Sequence, residues 1–217
     1  MSFKGAIFDL DGVIVNTVPL HFKAWQRMFT DYGKKFTFED YKKKVDGIPR
    51  FDGARAILTD LSSEEIEKAS AKKQGYYLGL VDSGEIEIYP STVELIKEFK
   101  KRSIKIAAAS SSRNCRYILE KVGLINLFDA IIGGTDFKKG KPDPEIFLMA
   151  ASNISVLPEE SVVFEDAILG VEAAKRGKMR CVGIAREGDK EVLKKADIVV
   201  NDLSEITYNQ LEGIFKI

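Results

Sequence analysis

Two carboxylates, Asp9 and Asp11, stand two residues apart directly after the apolar run Gly5-Ala6-Ile7-Phe8. On an extended chain residues i and i+2 face the same side, so these two negative charges repel across a shared space unless a cation or a shared proton relieves them. One member of such a pair can attack an electrophile or hold a metal while the other moves protons. Gly12 follows and lets the chain turn sharply. Asp and Gly are also ordinary turn residues, so Asp9-Leu10-Asp11-Gly12 taken alone equally describes a plain turn at a strand end.

Three further polar clusters follow apolar runs. Ser110-Ser111-Ser112 comes after residues 104–109 and before a helical pattern, where hydroxyls and backbone N–H groups can converge on an anion. A serine run is also a common loop or helix cap. Lys141 lies in Gly140-Lys141-Pro142-Asp143-Pro144. The two prolines limit its backbone, and a firmly placed ammonium suits a phosphate and an anionic nucleophile, although a single lysine is more usually a surface residue. Glu165-Asp166 follows Ser161-Val162-Val163-Phe164 and offers hard oxygen ligands to Mg²⁺, or merely a cap for the next helix.

The elements that must carry these groups alternate. Helical spacing over 91–102 gives way to a strand over 104–109, then a helix over 116–122, a strand over 129–132, a helix over 144–151, a strand over 161–164, a helix over 169–176 and a strand over 180–184. Such alternation predicts an α/β fold with a parallel sheet covered on both faces, and open sheets of that kind bind ligands at strand ends. Ser91 with Glu94 has the spacing of a capping box, and Gly123 and Gly177 sit where helix C-caps belong. Between Pro19 and about residue 83 no comparable strand occurs. Phe22, Trp25, Met28 and Phe29, and later Ile57, Leu58 and Leu61, recur at helical spacing instead. The expected organisation is a Rossmann-like core of residues 1–15 and 86–217 with a helical cap domain, residues 16–85, inserted after the first strand.

Composition narrows the partners. Of 217 residues 45% are hydrophobic and 30% charged, enough to bury a full core. Lys+Arg and Asp+Glu number 33 each, so no global basic excess recruits nucleic acid or an anionic membrane. Cys115 and Cys181 read as small buried hydrophobes of a reducing compartment, with a bridge left open by sequence. The chain runs from Met1 into a strand without a signal-peptide pattern or an apolar stretch of membrane-spanning length, and the expectation is a cytoplasmic protein.

Together the four clusters resemble the haloacid dehalogenase superfamily of phosphotransferases over essentially the whole chain. Its first motif is similar to Asp9-Leu10-Asp11-Gly12-Val13, its second to Ser110, its third to Lys141 and its fourth to Glu165-Asp166, in the family's order. The helical insertion looks like the cap of the subgroup that includes β-phosphoglucomutase and small sugar-phosphate phosphatases. The segments from Thr17 to Trp25, Gly47-Ile48-Pro49-Arg50 and Lys72-Lys73 resemble the mutase's opening cap helix, its substrate-gripping loop and its cap lysine.

The resemblance implies that Asp9 attacks phosphorus, Asp11 serves as acid and base, and Ser110, Ser111 and Lys141 hold phosphoryl oxygens. It implies Mg²⁺ held by Asp9, Asp166, the Asp11 carbonyl and Glu165. Thr17, His21, Trp25, Arg50, Lys73, Ser112, Arg113 and Asn114 would face the substrate, with Arg50, Arg113 and Asn114 on a second phosphate. The implied partner is a small phosphorylated sugar met by a monomer, and the implied activity is a phosphosugar mutase or a phosphatase. Without the resemblance, His21 and Trp25 would read as core residues. A signalling receiver domain also gathers acids, a hydroxyl and a lysine at strand ends, but it has no place for a long helical insertion, and its phosphorylated Asp belongs on a middle strand, whose end here offers serines.

Overall fold

The computed structural model describes residues 2–45, 49–186, 188 and 190–216, apart from the side chain of Lys42. The described chain divides into two compact units, Met1–Asn16 with Glu87–Ile217, and Thr17–Ile86. In chain order the elements are strands β1 (Gly5–Phe8) and β2 (Val15–Asn16), helices α1 (Val18–Asp31), α2 (Phe38–Lys44), α3 (Arg50–Ile57) and α4 (Ser63–Asp82), then β3 (Glu87–Ile88), α5 (Pro90–Lys101), β4 (Lys105–Ala109), α6 (Cys115–Lys121), β5 (Ala130–Ile132), α7 (Glu145–Asn153), β6 (Ser161–Glu165), α8 (Ile168–Arg176), β7 (Arg180–Ile184), β8 (Ile198–Val200) and α9 (Tyr208–Gly213).

In the first unit six strands form one parallel sheet in the order β5-β4-β1-β6-β7-β8. The short apolar runs of β1, β4 and β6 have no polar face because helices cover both sides of the sheet, which is the α/β arrangement the alternation predicts. Phe8 on β1 stacks on Phe164 on β6 with centroids 4.4 Å apart, and Phe99 of α5 packs against both on one side. On the other, Ile7, Ala107 and Val163 meet Ile146, Phe147 and Ala150 of α7. Burying one such side chain contributes about 1.5–3 kcal/mol, so the central strands are the firmest part of the unit. Asp9, Ser110 and Glu165 with Asp166 lie at the carboxyl-terminal ends of β1, β4 and β6, and Lys141 lies in the loop between β5 and α7.

One local expectation changes, and one is met with a different geometry. The helix over 91–102 begins at Pro90, with Tyr89 as its N-cap, because proline at the first helical position has its φ already set and no N–H to satisfy. Ser91 therefore lies inside the first turn and makes no capping box with Glu94; its hydroxyl donates to Asp202 at 2.9 Å. Gly177 does cap α8, but with ordinary helical φ, and the left-handed position falls on Lys178 at φ 59°. At the end of α6, Gly123 takes the left-handed position itself, at φ 71°. Both cysteines are buried and unbridged.

In the second unit α1 packs along α4, and Trp25, Met28, Phe29, Phe36, Tyr41 and Ile66 form its core. Two capping boxes set the starts of α2 and α4, Thr37 with Asp40 and Ser62 with Glu65, each cap contributing about 1 kcal/mol. Gly53 admits the Trp25 indole, since a Cβ there would lie 3.0 Å from the ring. Among the described residues no helix is long and apolar enough to cross a membrane.

Candidate active site

Asp9 is held at the end of β1 by its backbone N–H, which donates to the Phe164 carbonyl at 3.0 Å. Its carboxylate meets Lys141, whose Nζ lies 2.5 Å from Asp9 Oδ1 and 2.9 Å from Glu165 Oε1. The loop between β5 and α7 carries Lys141, steadied where the Glu145 carboxylate accepts from the N–H groups of Lys138 and Lys139 at 3.1 and 2.9 Å. Desolvation opposes the lysine's charge, yet Asp9 and Glu165 outweigh it and hold Lys141 well above its ordinary range, fully protonated.

Glu165 is almost wholly buried, and desolvation pushes its carboxyl well above the usual value against the pull of Lys141. Its second oxygen accepts from the Asp166 N–H at 3.2 Å. A Cβ on Gly170 would stand 1.6 Å from Glu165 Oε1, so the glycine in α8 leaves room for that carboxylate. Both oxygens of Glu165 are thus engaged by the protein, an arrangement that suits orientation of Lys141.

Asp9, Glu165 and Asp166 each offer an oxygen, and these atoms lie within 4.8 Å of one another. Asp166 keeps an exposed edge, and its carboxyl is pushed up to about 7, by desolvation first and by the Asp9 and Asp11 charges beside it. The repulsion is what a divalent cation would relieve, and the donors are hard oxygens of the kind Mg²⁺ takes. Gly12 makes room for Asp166: its φ is +78° and a Cβ there would lie 1.9 Å from Asp166 Oδ2. The residues present therefore fit a small divalent cation held between the ends of β1 and β6.

The serine run closes the other side. Ser110 is buried and donates to Asp11 Oδ2 at 3.3 Å, while it accepts the Ser112 N–H at 3.0 Å. Ser112 Oγ accepts the Asn114 N–H at 3.1 Å. Two of the N–H groups expected to converge on an anion are thus turned into the loop itself, because the serine side chains satisfy them locally. Ser111 and Arg113 are exposed beside them. Gly134 lets the neighbouring loop press in, its missing Cβ falling 2.2 Å from the Ser111 carbonyl.

The remaining expected residues lie in the helical unit. Lys73, 4% exposed, donates to His21 Nδ1 at 2.8 Å and sits 5.1 and 5.0 Å from the Trp25 and Tyr77 ring centroids. His21 stacks on Tyr77, and desolvation, then the Lys73 charge, hold its pKa well below 6.5, so the ring is neutral. Lys72 points outward to Asp31 at 2.7 Å, which separates the two adjacent lysines. Arg50 bonds Gln74 across α3 and α4 at 2.5 Å. Thr17 is buried at the start of α1, and Trp25, stacked on Phe29, is a packing residue of the unit's core. Of the loop Gly47-Ile48-Pro49-Arg50, Gly47 and Ile48 lie outside the described residues.

Sequence reasoning passed over Arg186, just beyond β7. Its Nε donates to the Gly12 carbonyl at 2.9 Å and its Nη1 meets Asp202 at 2.6 Å. The signal was there: Arg186 is a polar residue at a strand end, like the other four clusters.

A strand-end carboxylate, a half-buried lysine and an acidic pair at the end of the neighbouring strand fit a phosphotransferase or phosphatase site on a Rossmann-like sheet. Residues 6–184 match the pattern of the Haloacid dehalogenase-like hydrolase family, and the chain belongs to that family. It is 35% identical to the β-phosphoglucomutase of Bacillus subtilis over 96% of this chain and 93% of that protein. It is 33% identical to a phosphorylated carbohydrates phosphatase of Thermotoga maritima, over 94% and 99%. The crystal structure of a β-phosphoglucomutase from Clostridium difficile, 31% identical, superposes with a TM-score of 0.85 over 99% of this chain and 97% of that one.

Proposed function

We propose that this protein is a Mg²⁺-dependent phosphosugar mutase, converting β-glucose 1-phosphate to glucose 6-phosphate by way of a phosphorylated Asp9. The observation that carries the reading is Asp9 itself, a carboxylate fixed at a strand end 2.5 Å from a half-buried, protonated Lys141. Asp9 attacks phosphorus, the bond from phosphorus to the sugar oxygen breaks, and Asp11 gives that oxygen its proton. In the second half Asp11 takes the proton of an incoming sugar hydroxyl, whose oxygen receives the phosphoryl group from Asp9. Ser110 and Lys141 steady the phosphoryl oxygens through both halves, and positioning and charge supply most of the rate. Asp9, Asp166 and the Asp11 carbonyl would hold Mg²⁺, which neutralises charge on the transferring group.

Arg50, Arg113 and Asn114 are assigned to the substrate's other phosphate, for which an arginine fork suits a dianion better than an ammonium. His21 and Lys73 are assigned to water exclusion. Thr17, Ser111 and Ser112 complete the assignment. The enzyme is taken to act on a small soluble sugar phosphate in the cytoplasm, as a monomer. The similarity to the Bacillus mutase over nearly the whole of both chains supports transfer to a sugar. The similarity to the Thermotoga phosphatase favours a second reading, in which water accepts the phosphoryl group.

One assay separates them. With Mg²⁺ and a panel of sugar phosphates, isomerised sugar and free phosphate are followed together, with and without a sugar bisphosphate to prime Asp9. The mutase gives isomer in excess of phosphate and depends on the bisphosphate. Phosphate released in step with substrate loss, indifferent to bisphosphate, makes the protein a phosphatase.

A further inference from the structure

The turn that carries Asp11 is gripped from the end of β7. The Arg186 guanidinium donates from Nε to the Gly12 carbonyl at 2.9 Å, and from Nη2 to the Val13 carbonyl at 3.2 Å. Its Nη1 pairs with Asp202 Oδ2 at 2.6 Å, an oxygen that also accepts from Ser91. The Tyr89 ring covers it, with its centroid 3.4 Å from the guanidinium carbon. Buried Thr92 adds a second donor to the Val13 carbonyl at 2.7 Å.

Gly12 is confined by two further contacts. Its N–H donates to the Val15 carbonyl at 2.8 Å, and Asp166 occupies the space a side chain would need. With φ at +78°, a glycine could swing its peptide planes freely were the carbonyl not held. Three N–H groups of one planar fork, aimed at two carbonyls and a carboxylate, are a task that a single ammonium cannot copy.

We propose that Arg186 is a positioning residue of the reaction: by holding the Gly12 and Val13 carbonyls it fixes the turn that aims the Asp11 carboxyl and seats Gly12 against Asp166. The role rests on the reading of Asp11 as acid and base. An aspartate one residue from a loosened glycine loses its aim at the leaving oxygen, and misplacement by about 1 Å can cost about 10²-fold in rate.

The test compares the parent with Asp11→Asn, Arg186→Met, Arg186→Lys and the double variant Asp11→Asn/Arg186→Met. Each is offered, with Mg²⁺, a series of phosphate monoesters running from sugar phosphates to p-nitrophenyl phosphate, with kcat and KM measured separately. Asp11→Asn is expected to lose about 10²–10⁴-fold on sugar phosphates and far less on the nitrophenyl ester. Arg186→Met is expected to lose about 10–10²-fold with the same dependence on leaving group, in kcat more than in KM. Arg186→Lys should regain part of that loss. Adding Arg186→Met to Asp11→Asn should cost little more, as befits residues acting through one group.

A gradient in Asp11→Asn together with equal losses on every ester in Arg186→Met overturns the positioning role and leaves the acid in place. If Arg186→Met does not fold, Arg186→Lys decides in the same way, and full activity in it overturns the proposal. A flat series for Asp11→Asn removes the acid, and the proposal falls with it.

Discussion

Lys141 in the sheet unit and Lys73 in the helical unit are both withdrawn from water, but the groups around them differ. Lys141 lies between the Asp9 and Glu165 carboxylates, while Lys73 donates to a neutral imidazole and lies near the Trp25 and Tyr77 rings. In the first setting, an ion network, two carboxylates hold the lysine charged; the second is a nest of rings, whose faces attract a cation by about 0.5–2 kcal/mol each. The sheet unit gathers fixed charges at one edge, where a phosphoryl group has most to gain, and the helical unit builds its interior from aromatic packing. Disturbing the network should therefore cost stability and chemistry together, and disturbing the helical unit should show in stability first.

The largest effect is expected from Lys141→Met, which strands two buried carboxylates. It should lower the unfolding free energy by about 3–5 kcal/mol, read from urea denaturation, and remove activity in what still folds. A loss under about 1 kcal/mol would mean that Asp9 and Glu165 are not held by this lysine. A pair of glycines sharpens the contrast. Gly170→Ala drives a methyl into Glu165 and should cost about 1–3 kcal/mol along with turnover. In α4 nothing lies within 4 Å of a Cβ added at Gly75, so Gly75→Ala should stabilise by about 0.5–1 kcal/mol and leave turnover unchanged. A neutral or stabilising Gly170→Ala beside a destabilising Gly75→Ala would reverse the comparison.

The smallest effect concerns pH. His21 is the chain's one histidine, and its pKa in the fold is lowered, first by desolvation and then by Lys73. The unfolded chain therefore takes up the proton first, and this group's contribution to stability, complete above about pH 6.5, is lost as pH falls from there toward the folded pKa. Asp166 has a raised pKa and acts with the opposite sign, so the quantity to read is a difference. The Tm of the parent should fall more steeply than that of His21→Gln between about pH 7.5 and about pH 5.5. Parallel curves would place His21 in water.

Much of the sheet was legible because its strands are short apolar runs closed by polar residues, and the boundaries of β4, β6 and β7 differ from the sequence reading by a residue at most. The rest depended on partners far away in the chain. Ser91 looked like a cap because Glu94 stood three residues on; its actual partner, Asp202, could not be read from local spacing. The β2 and β3 strands are two residues each, too short to leave a pattern. Lys72 and Lys73 are indistinguishable as letters, and only the packing of α1 on α4 turns one inward. Strand-end position brought Asp9, Ser110, Lys141 and Glu165 to notice. The same rule extended to β7 would have found Arg186.

The account depends most directly on Asp9 as the group that takes the phosphoryl. Parent and Asp9→Asn are mixed with Mg²⁺ and a sugar bisphosphate, quenched in acid within one turnover, and digested for peptide mass. The prediction is one added phosphoryl group on the peptide bearing Asp9 in the parent and none in Asp9→Asn, whose turnover falls by about 10⁴–10⁶-fold while its Tm shows it still folded. A phosphoryl group mapped to Asp11 or Ser110, or a folded Asp9→Asn that turns over normally, would contradict it.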